Sequence, residues 1–221
     1  MTVWAMIPVK SFEGAKSRLG SRLSPDLRLE LAQAMYADTL TAIAGSSEVE
    51  RLAVVTNDPE AREQAERRGA DCLHDPDGGL NPALESGRTT LLSKGASTIV
   101  VLPSDIPAVR PADIDDIVRA GRERRSAVIV PDRLRQGTNA LLVQHDMQLP
   151  FRFGANSFEV HLDLARAKNL PMRVLSLRHV ECDCDTPEDI YRLAAIHPGP
   201  QTAQRLRAMD LALQEPGRTA P

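Results

Sequence analysis

Three groups of charged residues have types and spacings that could act on a polyanion. The first is Asp105 in Leu102-Pro-Ser-Asp105-Ile-Pro107, directly after the aliphatic run Ile99-Val-Val-Leu102. In open α/β sheets ligands bind at the carboxyl ends of the strands, where such an aspartate sits. The second is Asp183 and Asp185 in Glu181-Cys-Asp-Cys-Asp-Thr-Pro-Glu-Asp189. Side chains of an extended segment alternate, so these two share a face while Cys182 and Cys184 turn the other way, toward the core. Three carboxylates without His or Cys at ligand spacing suit a hard cation held through oxygen, hence Mg2+ or Mn2+. The third group is a loop in which Lys10, Lys16, Arg18 and Arg22 fall within thirteen residues, together with Gly14 and Gly20. A basic, glycine-containing loop after a first strand can hold a triphosphate. Each group alone has a plainer reading: a turn aspartate, a pair of helix caps, a solvated loop.

The elements that must position these groups alternate along the chain. Val3 to Val9 reads as the first strand. Ser24-Pro25-Asp26 starts a helix with an N-cap, a proline at the first position and an acid on the dipole, and Leu27, Leu31, Met35, Leu40 and Ile43 give it an apolar face to about residue 44. Arg51 to Thr56 is a strand, followed by a charged helix that stops at Gly69. Ala70 to His74 is a short edge strand, and a turn over Asp75 to Gly79 leads into a helix from Leu80 to Lys94. Ile99 to Leu102 is a strand buried on both faces, stopped by Pro103. Pro111 opens a helix ending at Gly121. Ala127 to Val130 and Asn139 to Gln144 form a hairpin-like β excursion, broken at 131–133 and 137–138. Ser157 is placed to cap a helix over Phe158 to Lys168, and Met172 to Leu177 is a strand. Thr186, Pro187 and Asp189 open another helix by the same cap-and-proline logic. The result is one α/β domain over residues 1–196 with a mostly parallel sheet. A tail over 197–221, partly helical or disordered, carries one amphipathic segment from Ala203 to Leu213.

Composition narrows the function classes. A net charge of −3 and 3% aromatics give no support to a nucleic-acid surface. No apolar run approaches the roughly 20 residues that span a bilayer, and the N-terminus lacks the basic flank and cleavage signal of a secretory leader. Cys72, Cys182 and Cys184 form an odd set without zinc spacing, which fits free thiols in a cytoplasmic protein. Neither G-x-x-x-x-G-K-[ST] nor G-x-G-x-x-G is present, which argues against a P-loop and against a nicotinamide dehydrogenase.

Taken together, Ile7-Pro-Val-Lys10 with Ala15-Lys-Ser-Arg-Leu19, Leu102-Pro-Ser-Asp-Ile-Pro107, Pro131-Asp-Arg with Gly137-Thr-Asn-Ala-Leu141, Phe153-Gly154 with Ser157, and Asp183-x-Asp185-Thr-Pro-Glu-Asp189 resemble the 2-phospholactate guanylyltransferase family. These are the CofC and FbiD enzymes of coenzyme F-420 biosynthesis, and the match spans roughly residues 5 to 195 in the family's order. The resemblance implies a nucleotidyltransferase fold, glycosyltransferase-A-like, with GTP as co-substrate and Mg2+ or Mn2+ as cofactor. It implies transfer of GMP to the phosphate of a three-carbon phospho-acid with release of pyrophosphate. By position, Asp105, Asp183 and Asp185 fall on the family's metal aspartates, and Thr138, Gly154 and Ser157 on its phospho-acid contacts. Lys10, Lys16 and Arg18 fall in the triphosphate loop, Lys16, Arg18 and Asp105 being the catalytic candidates, and Asn81 is a further nucleotide-binding candidate. The expected protein partners are a second copy of the chain and the next pathway enzyme, taking the product.

The residues agree with that chemistry. The attacking phosphate oxygen is largely dianionic at neutral pH, its second pKa being about 6, so no side chain has to remove a proton. The work is alignment of two polyanions and neutralisation of the pyrophosphate. The five histidines stand outside the motifs and read as structural. The acceptors used in the family are 2-phospho-L-lactate, phosphoenolpyruvate and 3-phospho-D-glycerate; the Asn156 amide, able to bond a hydroxyl, favours the last. Two competing readings are a molybdopterin guanylyl- or cytidylyltransferase, which carries a glycine-rich loop where this chain has Pro8-Val-Lys10, and a non-catalytic nucleotide sensor, against which the three intact carboxylates argue.

Overall fold

The computed structural model describes residues 2–122 and 126–210. The first strand, β1 (Val3–Pro8), shows why the sheet is central. Val3, Ala5 and Ile7 are buried on one face, while Trp4 and Met6 are buried on the other. A strand apolar on both faces must be covered on both sides. The remaining elements follow in order: α1 (Pro25–Ala44), β2 (Arg51–Val55), α2 (Pro59–Glu66), β3 (Asp71–Leu73), α3 (Leu80–Ser93), β4 (Thr98–Val101), α4 (Pro111–Ala120), β5 (Ala127–Pro131), β6 (Thr138–Gln144), α5 (Ser157–Ala167), β7 (Met172–Val174), α6 (Pro187–Ala195) and α7 (Pro200–Asp210). Among the described residues seven strands form one sheet in the order β3-β2-β1-β4-β6-β5-β7. Only β6 runs against its neighbours. Helices α1, α2 and α4 cover one face, through Tyr36, Leu40, Ala61, Ala65, Ile114 and Ile117. Helices α3 and α5 cover the other, through Leu84, Leu91, Phe158 and Ala165.

Prolines set the helix starts. α1, α2, α4 and α6 each open on one; in α4 and α6 the carboxylate two residues further on, Asp113 or Asp189, accepts the N–H of the residue before the proline (3.0 and 2.9 Å). Ser24 Oγ accepts from the Leu27 N–H (3.3 Å), and Asp58 Oδ1 from that of Ala61 (2.9 Å).

Several edges differ from the sequence expectation. The strand expected over Met172 to Leu177 ends at Val174, and the one expected over Ala70 to His74 covers only Asp71–Leu73. Both lie at sheet edges, where one partner limits the ladder. The β excursion is a hairpin built into the sheet, β6 pairing with β4 on one side and β5 on the other.

The amphipathic segment expected from Ala203 to Leu213 belongs to a helix that starts earlier, at Pro200; residues 211–213 lie outside the described residues. It docks on α1. Buried Asp38 of α1 accepts from the Gln201 and Thr202 N–H groups (3.2 and 2.7 Å), satisfying donors at the start of α7. A side chain at Gly199 would collide with Asp38. Leu206 and Met209 complete a third apolar cluster with Leu19, Leu31, Met35, Cys184 and Leu193. Among the described residues no helix is long and apolar enough to cross a membrane.

Candidate active site

The loop after β1 is pinned from several sides. Asp58 Oδ2 accepts from Ser11 Oγ and from the Phe12 N–H (3.1 Å each), and the Phe12 ring packs 5.5 Å from that of Tyr36. Further on, Leu19 is wholly buried in the third cluster and anchors a short 3-10 turn, Ser17–Leu19. Between these anchors Lys16 is forced into the left-handed region, φ 55° and ψ 38°. Non-glycine residues hold that conformation only where the surroundings over-determine it, and such residues cluster at functional sites.

That twist buries the Lys16 side chain and sends its ammonium across the sheet edge. Nζ donates to Asp105 Oδ2 (2.5 Å) and Asp185 Oδ1 (2.9 Å), while Arg18 Nη1 reaches Asp185 Oδ2 at 3.4 Å. Lys10 Nζ donates to Asp75 Oδ2 (2.6 Å), and Asn57 holds the Asp75 main chain through both its amide atoms (2.7 and 3.1 Å). Lys10, Lys16, Arg18, Ser104, Asp105 and Asp185 thus line one cleft of about 410 Å³ at the carboxyl edge of β1 and β4.

The electrostatics record crowding of acids. Burial first, then repulsion from Asp105 and Asp185, pushes the Asp183 carboxyl up to about 7. Burial pulls the Lys16 ammonium down, but attraction and hydrogen bonding from Asp105 and Asp185 outweigh it and hold the group above its ordinary value. Cys182 and Cys184 turn into the third cluster, as alternation requires, and burial pushes their thiols up to about 11 and about 12. Among the described residues no group of three His, Cys, Asp or Glu is gathered closely enough to hold a metal ion. The Lys16 ammonium lies between Asp105 and Asp185 instead.

Of the expected acceptor contacts, Thr138 opens β6. Because β6 is antiparallel, its first residue lies on the same edge as the carboxyl end of β4, beyond the Leu141–Val101 pair. The Asn139 amide donates to the Val180 carbonyl (2.9 Å) and the Arg133 N–H to that of Glu181 (3.0 Å), which ties this end of the hairpin to the segment bearing Asp183. Gly154 has φ 128°, open to glycine, with no atom within 4 Å of where a Cβ would stand.

Ser157 corrects the sequence reading. The cap position is Asn156, left-handed at φ 56° and without a side-chain cap bond, and Ser157 is the buried first residue of α5. The Gly154 to Ser157 turn closes through the Ser157 N–H on the Gly154 carbonyl (3.2 Å), and the Phe158 N–H goes to the Gln136 carbonyl (3.1 Å). Two donors of this helix start are therefore already used. Asn81 sits apart from the cleft: its amide donates to the Phe153 carbonyl (3.0 Å) and its oxygen accepts from the Phe153 N–H (2.8 Å), fastening the 151–157 loop to α3.

Sequence reasoning gave His161 only a structural role. Its ring is fully buried, with Nδ1 3.1 Å from Thr138 Oγ1 and Nε2 accepting from the Arg152 N–H (3.0 Å). The available signal was a polar residue on the apolar face of α5, in helical register with Phe158 and Ala165. Asp75 and Asn57 were missed; each lies just beyond a strand end, as Asp105 does.

The sequence matches the family described as guanylyl transferase CofC like over residues 3–220. A phosphoenolpyruvate guanylyltransferase of Rubrobacter xylanophilus is 43% identical, covering 88% of this chain and 95% of its own. One from Sphaerobacter thermophilus is 39% identical, covering 90% and 95%. Among solved structures, a Desulfovibrio desulfuricans G20 protein superposes with a TM-score of 0.78 at 19% identity, covering 96% of this chain and 97% of that one. A nucleotidyl transferase from Methanothermobacter gives 0.66 at 16% identity, over 94% and 99%. The structural likenesses establish a nucleotidyltransferase fold, and the sequence likenesses go further: the chain belongs to the CofC-like guanylyl transferases.

Proposed function

We propose that this guanylyltransferase moves GMP from GTP to the phosphate of a three-carbon phospho-acid and releases pyrophosphate, phosphoenolpyruvate being the acceptor. The observation that carries the reading is the convergence of Lys16 and Arg18 on Asp105 and Asp185 at the sheet edge. The names of the relatives favour phosphoenolpyruvate over the 3-phospho-D-glycerate that the Asn156 amide alone suggests. Under this reading the chain serves coenzyme F-420 biosynthesis, with a second copy and the enzyme that takes its product as partners.

By donor chemistry these carboxylates suit Mg2+ or Mn2+ once the Lys16 ammonium is displaced from between Asp105 and Asp185. Asp105, Asp183 and Asp185 offer only oxygen; burial first and their mutual repulsion second raise Asp183, and added positive charge relieves the repulsion. These three would hold the ion, which would supply charge neutralisation at the phosphates. The chain's own cations do the rest. Lys16 and Arg18 neutralise the pyrophosphate as it leaves, and the strained loop fixes where that charge is met. Thr138 and the Gly154 turn hold the acceptor, whose phosphate is already ionised, so no general base is needed. Mass analysis of the protein incubated with GTP, Mg2+ and each acid tests this. A guanylylated acid formed with stoichiometric pyrophosphate is expected; GTP left intact with all three acids would refute it.

A further inference from the structure

Thr138 and the 151–157 loop come from different parts of the chain, and one side chain joins them. His161 of α5 touches both through its two ring nitrogens. Because Nε2 accepts a main-chain N–H, it carries no proton, and in the neutral ring the proton sits on Nδ1. The Thr138 hydroxyl therefore cannot donate to the ring, and its own hydrogen stays available to an anion. The Phe153 ring meets the imidazole edge-on at 5.2 Å, and Asn81 clamps the Phe153 main chain on the far side. Hydroxyl and ring are buried, and the loop is fastened to them with Arg152 and Gly154 left exposed.

We propose that His161 is a positioning residue for the acceptor: its imidazole sets the Thr138 hydroxyl as a donor and locks the Arg152–Phe153 main chain so that Thr138 and Gly154 form one binding surface. This rests on the acceptor reading above. Burial, against a hydrogen bond to the Ser157 main chain and with a smaller push from Arg152, lowers the imidazole to about 4, so the neutral ring persists at working pH. Nothing in the transfer requires the ring to touch substrate.

The test is steady-state kinetics with GTP and phosphoenolpyruvate, together with deuterium exchange over residues 151–158, on His161→Leu and His161→Asn. In His161→Leu the acceptor KM rises about tenfold, the loss of one hydrogen-bonded contact, while the GTP KM stays put and the loop exchanges faster. His161→Asn, which keeps a donor near the Nδ1 position, recovers most of the acceptor KM. A lowered melting temperature with both KM values unchanged would overturn the proposal, as would acceptor and GTP KM rising together. Should His161→Leu fail to fold, Thr138→Val decides: an unchanged acceptor KM there overturns it equally. Wild-type protein that transfers to no acid removes the acceptor reading and this inference with it, a result visible before any variant is measured.

Discussion

Replacing Lys16 by Met keeps the length of the side chain and removes its charge. In the protein as it stands the ammonium occupies the space between Asp105 and Asp185, 2.5 and 2.9 Å away. A divalent ion drawn to those carboxylates has to displace it. Each hydrogen bond between charged groups contributes roughly 1.5–3 kcal/mol when sheltered. Asp105 and Asp185 keep 24% and 41% of their side-chain surface in water, which screens the pair. About 1 kcal/mol each, about 2 in all, is the discounted figure. With the competitor gone, Mn2+ without nucleotide should bind about 10- to 30-fold tighter to Lys16→Met than to wild type. The metal-free variant should also melt lower, and Mn2+ should restore more of its stability than it adds to wild type. Turnover should fall about 100-fold or more, because Lys16 no longer meets the triphosphate. Electron paramagnetic resonance of free Mn2+ reads the affinity directly. Unchanged or weaker Mn2+ binding in the variant would refute the competition between lysine and metal.

Other perturbations separate the parts of the site. Arg18 is largely exposed and meets Asp185 only at 3.4 Å, so Arg18→Ala should leave the melting temperature unchanged and weaken GTP about tenfold by calorimetric titration. Asp38→Ala strips the acceptor from the start of α7 and should cost about 1–2 kcal/mol in denaturant unfolding, with both KM values unaffected. The pH dependence follows from His161, whose ordinary value of 6.5 falls to about 4 on folding. The unfolded ring takes up a proton that the folded one refuses, so this stability is full above about pH 6.5 and is lost as pH falls toward 4. By about pH 5 the loss is about 2 kcal/mol. Wild type should lose that much more than His161→Gln between pH 7.5 and pH 5; parallel stability curves would show that the ring is not held neutral.

Local pattern alone determined most of the architecture. The unbroken apolar run Val3 to Ile7, whose side chains alternate between faces in a strand, requires cover on both faces, and the prolines at 25, 59, 111 and 187 set helix starts because a missing N–H costs nothing there. The same alternation sent Cys182 and Cys184 inward. All of these are properties of a few consecutive residues, which is why they are legible without a fold. What only the tertiary structure decided involves partners far apart in the chain. Lys16 lies 89 residues from Asp105 and 169 from Asp185, and no local rule pairs a loop lysine with aspartates instead of with phosphate. Asn81 gives its amide to Phe153, and Asp38 completes α7 from 164 residues away at Thr202. Ser157 looked like a cap because serine favours that position, yet the helix begins one residue earlier, with Asn156 at the cap, Ser157 its buried first residue and the Val160 N–H already on the Asn156 carbonyl. His161 read as structural along with the other histidines, and the fold buries its ring completely. Its role turns on which hydroxyl and which main-chain N–H the fold brings to its two nitrogens, and that follows from packing rather than from neighbouring residues.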